Sequence, residues 1–453
     1  MTELFGTNGV RGVVNEDMNT DLALRLGKAI GTWVGKDNEV AIGTDPRISN
    51  QMLKNAVASG LMAAGCDVMD LGEAPTPAIQ FYTKRSGNID LAVAITASHN
   101  PPEFNGIKCI NEDGAELVRW MEEEIEDIYL SEDFELVEWS EVGRKRSDDP
   151  LKMYKEAVKE KMDEKAIEEA KPKVVLDCAN GAGCYSTPYL LKELGCHVIT
   201  LNAQPDGSFP GHNSEPIKEN LQDLIELTRE TDADLGIAHD GDADRTIFID
   251  EEGNYIHGDR ILTLVAKKLV EENEGGTVVT PVSSSSSVKD VVVKNGGKLI
   301  YTAVGSPIVA QKMKEESAIF GGEENGGLIF AEHQFCRDGA MTAAQIVEMV
   351  STEGKLSSLI DELPKYVLKK RGVECPDRLK GPLLEELKKE FQDEDYDDTD
   401  GLKIYYDDGW ILIRPSGTEP KYRVYCEAED EEKAENIVSE HQEKLRKLLE
   451  KIR

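Results

Sequence analysis

The chain has 453 residues and a formal net charge of −35, from 52 Lys and Arg against 87 Asp and Glu. That length is too great for one core and predicts about three domains of roughly 150 residues each, and 40% hydrophobic residues with 18 prolines exclude a collagen-like or low-complexity chain. The acidic balance excludes a nucleic-acid partner or an anionic membrane surface, both of which demand a basic face, and no apolar run reaches the roughly 18 residues of a membrane span.

The opening Met1 to Gly12 shows no basic patch followed by an apolar run, so no secretory signal is expected and the cytoplasm is the expected location. Phe5-Gly6-Thr7-Asn8-Gly9-Val10-Arg11-Gly12 is a glycine-rich turn with a single arginine. A strand-like run, Val40 to Gly43, then leads through a helix-like stretch to Gly65-Cys66 and a second strand ending at Leu71. The pattern recurs from Val174 to Leu201 around Gly195-Cys196, and from Val278 to Tyr301 around Gly296-Gly297. Short β-branched runs bracketing a helix closed by Gly make a βαβ unit, so three related α/β domains are expected. Charge-rich stretches precede two copies: Ser140 to Lys173, read as linker plus surface helix, and Val270 to Gly276. The five serines Ser283 to Ser287 lead directly into Val288 and read as the start of a helix rather than a linker.

Beyond about residue 365 the texture changes. Gly381 to Glu390 predicts an amphipathic helix, and 391–400 an acidic loop. Leu402–Tyr406 and Trp410–Arg414 read as strands joined by the hairpin turn Asp407-Asp408-Gly409. A third strand, Tyr422–Glu427, and a terminal helix from Asp430 to Arg453 complete a small α+β domain.

Five segments could carry chemistry. In His239-Asp240-Gly241-Asp242-Ala243-Asp244-Arg245, three carboxylates crowd together and call for a cation; oxygen-only ligands suit Mg²⁺ or Ca²⁺. An EF-hand is the minority reading there, because Arg245 stands where that loop needs Gly and the flanks look like strands; a solvated acidic turn is the bland alternative. Ile95-Thr96-Ala97-Ser98-His99-Asn100-Pro101-Pro102 presents a hydroxyl beside an imidazole, with Lys108 a further candidate partner, on a loop that Pro-Pro keeps from becoming helix. Gly322-Glu323-Glu324-Asn325-Gly326-Gly327 pairs acceptors and donors suited to sugar hydroxyls, against the competing reading of a plain hairpin turn. Arg414-Pro415-Ser416-Gly417-Thr418-Glu419-Pro420, with Arg423 beyond, reads as a phosphate cradle without a Walker lysine or GxGxxG. The fifth is the opening turn that carries Arg11. The eight cysteines contain no CxxC pair, and Cys178, Cys184, Cys196 and His197 match no zinc spacing, so buried reduced thiols are expected.

In this order, TASHNP, DGDADR, GGEENGG and RPSGTEP, with FGTNGVRG before them, resemble the α-D-phosphohexomutase superfamily over nearly the whole chain, and most closely its archaeal-type phosphoglucosamine mutases. The resemblance implies three related α/β domains with mixed sheets plus a smaller C-terminal α+β domain, around a central cleft. It allots a phosphoserine loop to residues 1–148, a metal loop to 149–250, a sugar-binding loop to 251–365 and a phosphate-binding loop to 366–453. It further implies that Ser98 is carried as phosphoserine and that Mg²⁺ is held by Asp240, Asp242, Asp244 and a phosphate oxygen on Ser98. Arg11, His99 and Lys108 would assist the transfer, with the choice of general base left open. Arg245 would neutralise the phosphoserine region, Glu323 and Asn325 would hold ring hydroxyls, and Arg414, Ser416, Gly417, Thr418 and Arg423 would grip the phosphate that is not transferred. The implied reaction interconverts a hexose 6-phosphate and 1-phosphate through a 1,6-bisphosphate, with glucosamine phosphate as first substrate and a monomer or homodimer as the acting form. Many relatives carry Ser at the position of Asn325, His at that of Gly327 and an acid after the glycine of Thr302-Ala303-Val304-Gly305, so mannose or glucose phosphate stays open. A serine-dependent phosphatase and a non-enzymatic Ca²⁺-binding protein are the alternatives from other classes, and the acidic surface fits salt adaptation as well as an ordinary acidic protein.

Overall fold

The structure, a computed structural model, describes residues 4–6, 9–407, 409–416 and 420–452. It divides into two compact units, Met1–Ile261 with Asn325–Asp361, and Leu262–Glu324 with Glu362–Arg453.

All three expected strand–helix–strand units form. Glu39–Thr44 and Asp67–Glu73 flank the helix Asn50–Ala63, Lys173–Asp177 and His197–Leu201 flank Thr187–Glu193, and Gly276–Pro281 and Gly297–Thr302 flank Ser286–Lys294. The two strands are parallel in each case, because the intervening helix carries the chain back to its starting edge. The closing glycines Gly65, Gly195 and Gly296 have φ of 88°, 97° and 81°, left-handed values that a Cβ disfavours.

Two mixed sheets lie in the first unit. One runs in the order Val10–Val13, Phe104–Asn111, Leu91–Ile95, Glu39–Thr44, Asp67–Glu73, Lys145–Ser147. The other runs Tyr255–Ile256, Thr246–Ile249, Leu235–His239, Lys173–Asp177, His197–Leu201. Their logic is shared. A parallel strand (Leu91–Ile95 or Leu235–His239) is followed by a loop too short for a crossover helix, so the next strand must return antiparallel. Those two loops, 96–103 and 240–245, leave the carboxyl ends of parallel strands, where open α/β sheets bind their ligands. Leu26, Ile30, Val40, Ile42, Leu53, Val57 and Val93 belong to the buried core around the first sheet and hold its strand ends in place.

In the second unit Gly276–Pro281 lies parallel to both Gly297–Thr302 and Phe320–Gly322. Ser285 caps the helix Ser286–Lys294, its hydroxyl accepting from the Ser287 amide, so the serine run starts a helix as expected. An antiparallel sheet in the order Val367–Glu374, Lys421–Ala428, Gly409–Pro415, Leu402–Tyr406, Tyr396–Asp397 joins the helices Asp377–Glu390 and Glu431–Ile452. Leu379, Leu383, Leu387, Val438, Leu445 and Leu449 share one core with the inward face of that sheet. Asp408, in the expected turn, and Arg453, at the expected helix end, lie outside the described residues.

Two readings need correction. Ser140 to Lys173 is not linker plus one surface helix: it holds an edge strand, Lys145–Ser147, and two helices, Leu151–Lys159 and Glu164–Ala170. Charge dominates its composition, yet Tyr154, Val158 and Ile167 fall on the inward faces of these helices and are fully buried. The stretch 391–400, expected as an acidic loop, contains a short strand, Tyr396–Asp397, that pairs with Leu402–Tyr406 at the sheet edge.

Candidate active site

Ser98 follows a strand, Leu91–Ile95, that is buried along its full length. The Thr96 hydroxyl accepts from the Ser98 amide at 2.8 Å and donates to Asp45 Oδ2 at 2.6 Å, which turns the chain sharply. Ser98 takes φ = 50°, a left-handed value that costs a non-glycine residue about 1–2 kcal/mol. The fork of Arg47 holds this turn from behind. It donates to the carbonyls of Ser98 (2.9 Å), Asn100 (2.6 Å), Pro101 (2.7 Å) and Phe104 (2.9 Å), and its Nε to Asp45 Oδ2 at 3.1 Å. The chain between the two strands is thereby fixed with the Ser98 hydroxyl donating to Asp240 Oδ2 at 2.8 Å.

Asp240, Asp242 and Asp244 stand in the reverse turn between Leu235–His239 and Thr246–Ile249. Strands on both sides remove the EF-hand reading, which needs helices there. The two loops meet backbone to backbone: a Cβ on Gly241 would lie 2.4 Å from the Ser98 carbonyl oxygen, so only glycine fits. The Ala182 amide donates to the Gly241 carbonyl at 2.8 Å and the Thr76 amide to that of Asp242 at 3.1 Å, so neighbouring elements fix the turn. One ligand oxygen from each aspartate lies within 4.8 Å of the others, the one such group of three candidate metal ligands among the described residues.

The electrostatics fit a cation. All three carboxylates are buried. Burial, then Asp244 and Asp242, raise Asp240 well above the usual carboxylate range. Burial also works to raise Asp242, but the Lys108 charge, the Thr76 hydroxyl and Arg337 together hold it below its ordinary value. Asp242 Oδ1 and Asp244 Oδ1 are buried with no hydrogen-bond partner among the described residues. Unpartnered, converging anionic oxygens are what a divalent cation requires, so the aspartates could hold a metal.

Cations surround this cluster. Lys108, on the returning strand Phe104–Asn111, reaches Asp242 Oδ2 at 3.1 Å and Asp244 Oδ2 at 3.7 Å. Burial opposes its charge, but these two aspartates outweigh it and raise its pKa. Arg245 Nε lies 3.9 Å from Asp240 Oδ2 and 3.8 Å from Asp244 Oδ1. Arg11 donates to Asn100 Oδ1 at 2.9 Å, and burial lowers its pKa, opposed by Asp242. His99 Nδ1 is 3.4 Å from Ser98 Oγ; burial, then Arg245 and Arg11, push its pKa down to about 2. Ser98, His99, Lys108, Arg11, the three aspartates and Arg245 are thus gathered in one place from four stretches of sequence.

Sequence reasoning missed Arg337, Thr76 and Arg47. Arg337 Nη2 donates to Asp244 Oδ2 at 2.5 Å and the Thr76 hydroxyl to Asp242 Oδ2 at 2.8 Å. Neither sits in a motif; each stands at the start of a helix (Thr76–Ser86 and Gly339–Thr352) that the fold aims at the aspartates. Gly327 and Asp338 were the available hints, a glycine leaving space and a helix-capping acid marking the turn.

Asn325 belongs to the first unit, where its side-chain oxygen accepts from the Gly327 amide at 3.1 Å. Glu323, Arg414, Ser416 and Arg423 belong to the second. There Glu323 Oε1 accepts from the Gly305 amide at 3.2 Å, and Arg414 Nε pairs with Asp400 Oδ2 at 2.9 Å. The Ser416 amide donates to the Lys421 carbonyl at 2.9 Å, and Arg423 Nη1 to the Tyr425 hydroxyl at 3.0 Å. Arg414 and Arg423 are direct cross-strand partners. Gly417 and Thr418 lie outside the described residues. Cys178, Cys184 and Cys196 are buried, as are the other five cysteines, in keeping with packing rather than zinc.

Comparisons with known proteins point the same way. Profiles described as phosphoglucomutase/phosphomannomutase, alpha/beta/alpha domains I, II and III, match residues 2–136, 152–253 and 257–366, and the C-terminal domain profile matches 373–444. A phosphoglucomutase/phosphomannomutase of Thermococcus kodakarensis is 48% identical over 443 residues, covering 96% of each chain. A phosphoglucosamine/phosphogalactosamine mutase of Sulfurisphaera tokodaii is 42% identical, covering 99% of this chain and 100% of that one. The crystal structure of a phosphoglucomutase/phosphomannomutase family protein from Burkholderia thailandensis superposes with a TM-score of 0.88 at 29% identity, covering 99% of this chain and 98% of that one. No helix among the described residues is long and apolar enough to cross a membrane. Matched by all four domain profiles over nearly its whole length, the chain belongs to the α-D-phosphohexomutases, isomerase-type phosphotransferases that act on sugar phosphates.

Proposed function

We propose that this enzyme interconverts glucosamine 6-phosphate and glucosamine 1-phosphate, with Ser98 carried as phosphoserine and glucosamine 1,6-bisphosphate as the intermediate. The observation that carries the phosphoryl-transfer chemistry of this reading is the Ser98 hydroxyl, held 2.8 Å from Asp240 on a left-handed backbone amid Lys108, Arg11 and Arg245. A phosphoryl group on that oxygen is ringed by fixed positive charge, and such transfer depends mostly on positioning and charge neutralisation. The sugar hydroxyl forms its bond to phosphorus as the Ser98 Oγ–P bond breaks, and its proton passes to a group beside the serine. His99, Lys108 and Arg11 are the candidates to move that proton and to return one to the leaving Ser98 oxygen; a charged lysine or arginine can only donate. The sugar then presents its other phosphate, whose transfer back to Ser98 restores the enzyme.

Asp240, Asp242 and Asp244, with an oxygen on phosphorylated Ser98, would hold Mg²⁺, which when bound would withdraw charge from the transferring phosphoryl. In the second unit Glu323, and in the first Asn325, are proposed to hold ring hydroxyls. Arg414 and Arg423 are partners across the antiparallel pair Ile413↔Val424, Arg414↔Arg423, with Asp400 beside Arg414, so two guanidiniums share one carboxylate and a further anion would be attracted. They are proposed, with Ser416, Gly417 and Thr418, to grip the phosphate that is not transferred. The four-part division at 148, 250 and 365 is proposed to allot one such loop to each domain, and the cytoplasm is the proposed location.

A panel of glucosamine, glucose and mannose 6-phosphates in a coupled assay tests the function. Formation of glucosamine 1-phosphate at the highest kcat/KM is expected; release of free phosphate without isomer would replace the mutase by a phosphatase. The Thermococcus relative, a phosphoglucomutase/phosphomannomutase, favours glucose and mannose phosphates as a second reading, which the same panel decides. Arg414→Ala is expected to raise KM roughly tenfold with kcat little changed, since a phosphate held equally before and during transfer contributes uniform binding. An unaltered KM would move the phosphate grip elsewhere.

A further inference from the structure

The three aspartates are not equally open to a ligand. Asp240 accepts from Ser98 Oγ through Oδ2 and from the Arg245 amide through Oδ1 at 3.2 Å. Asp242 Oδ2 is taken by the Thr76 hydroxyl at 2.8 Å and by Lys108 Nζ at 3.1 Å, and Asp244 Oδ2 by Arg337 Nη2 at 2.5 Å. What remains without a hydrogen bond on Asp242 and Asp244 is one oxygen each, Oδ1 in both, that of Asp244 facing Arg245 Nε at 3.8 Å. The fold therefore offers these carboxylates one oxygen at a time. Mg²⁺ takes single oxygens at about 2.0–2.1 Å in a strict octahedron and keeps waters, whereas Ca²⁺ at about 2.3–2.6 Å takes more oxygens and accepts bidentate carboxylates.

We propose that Arg337 determines metal specificity: by occupying Asp244 Oδ2 it confines Asp244 to one-oxygen coordination and favours Mg²⁺ over Ca²⁺. The inference rests on the reading that the aspartates hold a divalent cation. Arg337 is buried and precedes Asp338, whose carboxylate caps the helix Gly339–Thr352 at the Met341 amide and accepts from Gln334 Nε2 at 2.7 Å and the Tyr154 hydroxyl at 2.5 Å. That anchor fixes where the arginine starts. Its stem then crosses Gly327, where a Cβ would lie 2.2 Å from Arg337 Cδ and 2.9 Å from Cγ. The absent side chain at 327 is thus the space through which Arg337 reaches Asp244. The pair gives a physical reason for Gly at a position where the sequence departs from many relatives. Arg337 acts on the metal only through Asp244, so it is a positioning residue.

Calorimetric titration of the full-length, metal-stripped protein with MgCl₂ and with CaCl₂ tests this for wild type, Arg337→Met and Gly327→Ala. Wild type is expected to prefer Mg²⁺. In both variants the ratio of Mg²⁺ to Ca²⁺ affinity is expected to fall by on the order of tenfold, the scale on which residues that orient metal ligands act. Losing one positive charge or some rigidity shifts both ions together, so the ratio isolates the freed oxygen. Should Arg337→Met fail to fold, Gly327→Ala, which displaces the same stem, carries the test. An unchanged ratio with tight Mg²⁺ binding overturns the role of Arg337 and leaves the metal site standing. A wild type that binds neither ion overturns both.

Discussion

Ser98→Ala is expected to remove mutase turnover by a factor on the order of 10⁴ or more while the protein unfolds close to the wild-type midpoint. Loss of a nucleophile has no substitute in a transfer that must pass through it. Stability is expected to hold because alanine bears the same left-handed backbone cost at φ = 50° as serine does, and deleting the hydroxyl loses a hydrogen bond to Asp240 of about 1 kcal/mol and a long 3.4 Å contact with His99. Ser98→Gly separates the hydroxyl from the backbone. It deletes the same hydroxyl and also relieves the backbone, so it is expected to be equally inactive yet more stable than Ser98→Ala. Urea unfolding and a coupled assay on both variants check this. Turnover within tenfold of wild type in either would dismiss the phosphoserine, and a large loss of stability in both would make Ser98 a structural residue instead.

Arg47→Met is the substitution expected to cost most in stability. The guanidinium is buried, pairs with a buried Asp45, donates to four backbone carbonyls between Ser98 and Phe104, and lies 4.9 Å over the Phe209 ring. Methionine fills comparable volume but leaves Asp45 without its cation and the carbonyls without donors. Removing one partner of a buried ion pair costs about 3–5 kcal/mol. The urea midpoint should drop accordingly, and kcat should fall as well, since the Ser98 turn loses what holds it against Asp240. Arg47→Lys should recover only part of either, because one ammonium cannot replace a planar fork that serves five acceptors. Stability within about 1 kcal/mol of wild type in Arg47→Met would mean the carbonyls find water instead.

Much of the site was legible because its chemistry is local in the sequence. Three aspartates at alternate positions between two apolar runs must lie on one tight turn, and Ser98-His99 before Pro-Pro must lie on a loop that cannot become helix. The repeating strand, helix and closing glycine likewise foretold three parallel pairs, since each pair is decided by short-range periodicity. Less legible were segments whose composition is charged but whose faces differ. In Leu151–Lys159 four of nine residues are Lys or Glu, yet Tyr154 and Val158 alone decide that the helix packs inward.

What the amino-acid order determined by itself is which groups could do chemistry and that they lie on loops after apolar strands: Ser98, the aspartates at 240, 242 and 244, and the arginine-bearing turns. Only the tertiary structure decided which oxygens of those aspartates are taken, that Gly241 lets the two loops touch, and that Arg47, Thr76 and Arg337 are the residues holding the arrangement. The reason is physical. A side chain's role at such a site depends on a hydrogen bond spanning 51 residues for Arg47, 93 for Arg337 and 166 for Thr76, and contacts at that separation leave no periodicity or motif in the sequence to read.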